Sequence, residues 1–287
     1  MTIVTLITTG KAEEAAFADF LSSHFEGCDV TFRSEFTDGF TSSRLLEHFD
    51  TAPTNAAKLA ARLVAAVDPG ARIKGQEKSD FAIAIEDIEL FNRDQPERIT
   101  EVFADAVNAH IKKTWPSQHR QKKAMEKVRK KASFHLLSPM LESYFFTDPQ
   151  SIESMKLDSA VVKQDSDDAE KFRTENVDYL KSVEHLDPLS VGGTAREWFG
   201  SHPKHFINYH FDSSEEYDPK RNLYREVMHG APALRKLRTE MVFAVNEHCS
   251  FLRSLINDLS FALGVEQVTG VENDVTKFGS GKTLRNI

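Results

Sequence analysis

Cysteine is nearly missing from the chain: Cys28 and Cys249 are its only two. A disulfide framework and a four-cysteine zinc site are thereby excluded, and a reducing cytoplasm fits. No apolar run approaches the ~18 residues that a bilayer-spanning helix needs, so no membrane is expected among the partners. The opening residues, Met1-Thr2-Ile3-Val4-Thr5, carry no basic segment, so no signal peptide is expected. An excess of positive charge is also missing. Lys and Arg total 36 against 44 Asp and Glu, for a formal net charge of −8. That disfavours a protein that coats nucleic acid nonspecifically through its bulk surface. Trp (2) and Tyr (5) are few, whereas the 21 Phe predict a well-filled core and no specific chemistry. With 287 residues, 40% hydrophobic and 28% charged, the chain is long enough for one large or two small domains and is not disordered throughout. Internal repeats and low-complexity tracts are absent too.

Strand-like and helix-like patterns alternate along the N-terminal part. Ile3–Ile7 reads as a buried strand closed by Thr8-Thr9-Gly10. A helix follows from about Ala12 to Phe25, with Phe17, Phe20, Leu21 and Phe25 at helical spacing and Gly27 after it. Val30–Phe36 alternates as a second strand, and Asn55–Val67 is a helix ending at Asp68-Pro69-Gly70. Phe81–Ile85 is the clearest buried strand. Asp94, Pro96 and Glu97 start a helix whose apolar positions run from Ile99 to Ile111. Phe134–Leu137 suggests another strand, and Ser138-Pro139 resembles a helix cap with proline in the first turn. From Asp148 to Asp187 the pattern weakens and turns acidic, which predicts irregular structure. Pro232–Leu263 predicts a long helix or helix pair ending at Gly264. The expected fold class is therefore α/β: a mainly parallel sheet flanked by helices, with a mostly helical C-terminal part. Residues 1–147 would form the α/β core, and 148–287 a helical region packed on it.

Carboxylates gather where strands end. Glu86, Asp87 and Glu89 follow the Phe81–Ile85 strand, at the kind of edge where open parallel sheets place functional groups. An extended chain would point Asp87 and Glu89 to the same side. Two such carboxylates repel each other, and a hard divalent cation would relieve that repulsion. A solvated turn with its usual acids explains them equally well. Glu13 and Glu14 follow the first strand; Glu13 shares the inward column of Phe17, whereas Glu14 points more to solvent. Complementing the positive helix N-terminus is sufficient reason for both. Glu142 is a lone acid among the apolar residues of 139–146, either paired, functional or on an exposed helix face.

These segments resemble the TOPRIM-like proteins, particularly the RloB-like and related bacterial groups. The resemblance rests on "IVTLITTGKAE" (Ile3 to Glu13), "FAIAIEDIEL" (Phe81 to Leu90) and "SFHLLSPMLESYFFTDP" (Ser133 to Pro149), with "CSFLRSLINDL" similar in type. It covers about half the chain through short motifs. It implies a TOPRIM-like sheet, with Asp87 matching the first metal-binding aspartate and Glu89 replacing the second, holding Mg²⁺ (or Mn²⁺). The glutamate expected just before Gly10 is Thr9 here, and threonine cannot do acid–base work near neutral pH. Glu13 or Glu14 then substitutes as the catalytic group, with Glu142 as an additional one, or the site is altered or inactive. The resemblance further implies a setting in bacterial genome defence beside an ATPase partner.

A basic stretch, Lys112–Lys131, has nine basic residues against Glu126 alone. Its net charge of +8 leaves −16 on the rest of the chain. A solvated amphipathic helix accounts for it. So asymmetric a field also suits a nucleic-acid backbone, through Lys122, Lys123, Arg129 and Lys130, or an acidic partner protein. For a nucleic-acid enzyme the stretch should lie on a rim or face beside the acidic cleft. Gly279-Ser280-Gly281-Lys282-Thr283 is not a phosphate loop, because Thr276 stands where glycine is needed and too few residues follow for a helix. His202-Pro203-Lys204-His205 reads as a loop or helix start, open to a phosphate contact through Lys204 or to metal ligation, although Pro203 interrupts the spacing that would align two histidines. His135 reads as a satisfied core histidine, and neither cysteine has an activating neighbour. Two functions compete: a Mg²⁺-dependent nuclease or related phosphotransfer protein, and a noncatalytic interaction or regulatory subunit of a defence complex. The partners to consider are nucleic acid, an ATPase and a second copy of the chain.

Overall fold

The computed structural model describes residues 1–41, 53–71, 79–186, 194–212, 214, 217–245 and 249–266. Four parallel strands form one sheet in the order β2-β1-β3-β4: β1 Thr2–Thr8, β2 Val30–Phe36, β3 Phe81–Asp87 and β4 Ala132–Leu137. β1 and β3 are neighbours, with Thr8 opposite Ile85, so the end of β1 and Asp87 share the carboxyl edge as expected. Parallel strands are buried on both faces, which is why β1 and β3 read as continuous apolar runs. The period of two still assigns their faces. Val4, Leu6, Ile83 and Ile85 belong to one core cluster, and Ile7, Ala82 and Ala84 to the other.

The second face is covered by α2 (Thr54–Val67), α3 (Pro96–Thr114) and α4 (Gln118–Lys131). The first face carries α1 (Lys11–His24) and the helices of the C-terminal half. These are α5 (Glu142–Phe145), α6 (Pro149–Ser154), α7 (Val177–Val183), α8 (Ala195–Gly200), α9 (Pro203–Phe211), α10 (Ala231–Lys236), α11 (Thr239–Val245) and α12 (Ser250–Leu263). Tyr179, Phe206, Leu234 and Leu255 from this half join Val4 and Leu6 of β1 in a single cluster. Buried His135 of β4 meets buried Asp258 of α12 at 2.9 Å, the satisfied core histidine the sequence predicts. Among the described residues no helix is long and apolar enough to cross a membrane.

Two local expectations change. Ser138 does not cap a helix; its hydroxyl donates to the Glu170 carbonyl, the Ser138–Pro139 bond is cis, and α5 starts at Glu142. The end of β4 and the segment after it instead brace the end of β3, taking the amide of Ile88 on Leu137 O and that of Glu89 on Pro139 O. The acidic stretch after Asp148 is irregular over much of its length, as expected, with short helices at Pro149–Ser154, Ala169–Lys171 and Val177–Val183. Its polar residues are helix caps: Asp148 accepts from the Gln150 amide, Asp168 from Glu170 and Asn176 from Tyr179. The expected long helix or helix pair before Gly264 is instead three helices, α10, α11 and α12, and Gly264 ends α12 at φ 68°, as expected. Residues 279–283 lie outside the described residues.

Candidate carboxylate centre

The carboxyl edge gathers Glu13, Asp87, Glu89 and Glu142 from three separate stretches of chain, together with Lys204 and Glu226. Gly10 precedes α1, and the Glu13 carboxylate folds back against it so closely that a Cβ on Gly10 would overlap it. Glu13 is 5% exposed. Burial, then the Glu142 charge, pushes its pKa up to about 8, against the pull of its own amide and Lys204. Asp87 ends β3 on the same face as Ile83 and Ile85, and its Oδ1 accepts the Leu141 amide at 3.0 Å. Burial, then Glu13, Glu89 and Glu142, holds this carboxyl well above the usual range. Glu142 is 2% exposed; its Oε1 lies 3.4 Å from Lys204 Nζ, and its Oε2 has no hydrogen-bond partner among the described residues.

Glu89 reaches the same cavity by a different backbone route from the extended one expected. At φ 62° it leaves the strand alternation, and burial raises its pKa to about 7 even with Lys204 nearby. The alternation turns Glu86 away from Asp87, toward the wall of the same cavity at Gly39. There its Oε1 lies 2.7 Å from the Thr41 hydroxyl and accepts the Phe40 amide at 3.1 Å, while burial holds its pKa at about 7. Glu14 is exposed on the outer side of α1, so the helical period that buries Glu13 removes Glu14 from the centre. Thr9 Oγ1 donates to the Ile85 carbonyl at 3.2 Å, a contact between strand ends rather than an acid–base role.

Lys204, Glu226 and Tyr224 complete the centre. Lys204 stands in the first turn of α9, confirming a helix start at Pro203. Its Nζ lies 2.9 Å from Glu226 Oε1. Burial works against its charge, but Glu142, Glu226 and Glu89 hold its pKa well above the usual lysine range. Glu226 also accepts the Lys11 amide at 3.1 Å. Tyr224 is 1% exposed, and its hydroxyl lacks a hydrogen-bond partner of good geometry among the described residues. Glu226 and Tyr224 carry no motif, and only the packing of a distant segment reveals them. The cavity encloses about 640 Å³ between Thr9, Asp87, Glu89, Lys204, Glu226 and the 222–228 segment.

All four side chains invoked in the basic stretch, Lys122, Lys123, Arg129 and Lys130, are exposed on α4. The helix is anchored at the other edge of the sheet. Trp115 before it packs beside Gly70, Lys127 pairs with Asp68 at 3.0 Å, and Ala132 after it pairs with Ala82. Ala82 and Asp87 are five residues apart on β3, ~17 Å at the usual rise. The basic face is therefore not the rim of the acidic cleft. The chain must enter β4 from the amino edge, so a helix joined directly to that strand ends there.

The oxygen donors suit a hard divalent cation, and Glu142 Oε2, which the Tyr224 hydroxyl approaches without a well-formed hydrogen bond, is the kind of buried atom such an ion would satisfy. Even so, among the described residues no three His, Cys, Asp or Glu side chains are arranged to hold a metal ion. The Lys204 ammonium is the cation that lies among the carboxylates. No family model, curated protein or solved structure matches the chain.

Proposed function

We propose that this centre takes Mg²⁺ or Mn²⁺ and acts on phosphoesters of nucleic acid, as a nuclease or related phosphotransfer protein. The observation that supports the reading is the mutual repulsion of Glu13, Asp87, Glu89 and Glu142, which Lys204 offsets only in part. Asp87 and Glu89 would hold the ion as two protein ligands, with water and phosphate oxygens supplying the rest of its shell. When bound, the ion would polarise a phosphoryl oxygen and make attack by water feasible at neutral pH. Glu13, with a pKa of about 8, retains a proton near neutrality and can exchange it during the reaction. Lys204 Nζ would orient the phosphate, since a lysine ammonium has three donors. The resemblance adds the proposal of a bacterial genome-defence setting with an ATPase partner.

A second reading, a noncatalytic interaction protein on the same fold, is favoured by Thr9 and by the internal neutralisation that Lys204 provides. Calorimetry with Mn²⁺ on the wild type and on Asp87→Ala separates the two. Binding by the wild type and its loss in Asp87→Ala support the metal centre. A folded wild type that binds no ion, and cleaves no labelled oligonucleotide even with Mn²⁺, supports the interaction protein.

A further inference from the structure

The cavity has a wall that carboxylate chemistry does not explain. Val227 and Met228, 55% and 62% exposed, line it from the 226–230 turn, and half-buried Phe36 lines it from the end of β2. The turn is firmly held. Glu226 is fixed by the Lys11 amide and Lys204, the Arg225 amide donates to His229 Nδ1 at 2.9 Å, and the His229 ring stacks on Phe211 with centroids 4.4 Å apart. Two apolar side chains thus project from a built turn at the mouth of an acidic cavity. The exposed side chains of Lys11 and Arg225 flank them, and Lys204 lies deeper.

Resting on the phosphoester reading, we propose that this cavity takes one unstacked nucleotide of a single-stranded nucleic acid. The base lies against Phe36, Val227 and Met228, and the phosphate faces Lys204, Lys11 and Arg225. Three features carry this. The volume is that of a pocket for a small ligand. Apolar and aromatic side chains beside basic ones are how single strands are held, because every base has a face to stack while the backbone needs positive charge. The main basic face of the molecule, on α4, is tied to the opposite edge of the sheet, so a duplex laid over the cavity would not reach it.

The test is fluorescence anisotropy with a labelled, phosphorothioate-linked oligothymidine, single-stranded or paired with oligoadenine, in Mn²⁺. The single strand should bind at least about tenfold more tightly than the duplex. Met228→Glu and Phe36→Ala should each weaken it about tenfold, the usual effect of losing one base contact. Their Mn²⁺ calorimetry should match the wild type. Met228 is exposed, so Met228→Glu carries the test if Phe36→Ala fails to fold. Equal binding of duplex and single strand, or full affinity in Met228→Glu, overturns the proposal. Mn²⁺ binding without oligothymidine binding defeats this inference alone. Oligothymidine binding that depends on Met228 but not on Mn²⁺ upholds it and defeats the metal reading.

Discussion

At the scale of single residues, the centre is defined by carboxyls whose pKa values are pushed up by burial and by one another. Glu13 illustrates the consequence for pH. Its folded pKa of about 8 lies above the ~4.3 of a free glutamate, so between those values the folded chain binds more protons than the unfolded one. Its contribution to stability therefore falls as pH rises from about 4.3 to about 8. Glu13→Gln removes this dependence while keeping the shape. Its thermal midpoint should exceed that of the metal-free wild type at pH 8, by ~2–4 °C per kcal/mol relieved, and converge with it near pH 4. The same protons oppose a metal. Mn²⁺ affinity should rise from pH 6 to 8, by up to about tenfold per unit for each proton displaced, as Glu13 and Glu89 ionise. A flat calorimetric profile over that range would remove Glu13 and Glu89 from the ion's surroundings.

At the scale of elements, position along the sheet decides which groups cooperate. The ends of β1, β3 and β4 deliver Glu13, Asp87 and Glu142 to one edge, whereas α4 returns its lysines and arginine to the other. Changing Lys122, Lys123, Arg129 and Lys130 together to Ala should leave the Mn²⁺ isotherm unaltered and single-strand affinity within about twofold. A larger loss, with a salt slope reduced by about 0.7 per contact, would place nucleic acid on α4 after all. The stop of α12 is a separate, purely structural element. Gly264 occupies the left-handed region, and among the described residues nothing lies within 4 Å of a Cβ, so the cost of Gly264→Ala is one of backbone conformation. A loss of about 1 kcal/mol in urea unfolding is expected.

At the scale of the whole molecule, one hydrophobic cluster runs from Val4 of β1 to Leu255 of α12. Phe206 sits in its C-terminal part, fully buried, with its ring near Tyr179 at 5.2 Å and Phe146 at 6.0 Å. Phe206→Ala should cost ~3–5 kcal/mol. Because the cluster is continuous, the signals of the sheet and of the C-terminal helices should be lost in one transition. Two resolved transitions in calorimetry would show that residues 1–147 and 148–287 unfold as separate units.

The sequence by itself determined the sheet and its order of elements. Ile3–Ile7 and Phe81–Ile85 are apolar on both faces, and Phe17, Phe20 and Leu21 repeat with the helical period; these signals are local and periodic. It also marked Asp87 and Glu142, because each interrupts or ends an apolar run. It separated Glu13 from Glu14 for the same periodic reason. Only the tertiary structure decided what surrounds those acids. Lys204, Tyr224 and Glu226 belong to the centre through packing across more than sixty residues of sequence from Glu142, a distance no periodicity spans. It also decided that Asp148, Asp168 and Asn176 cap short helices within the irregular stretch, since capping requires a specific backbone turn beside each side chain. The place of the basic helix was likewise hidden: charge can be counted along a chain, but the edge of the sheet on which it falls is fixed by the direction in which β4 must be entered.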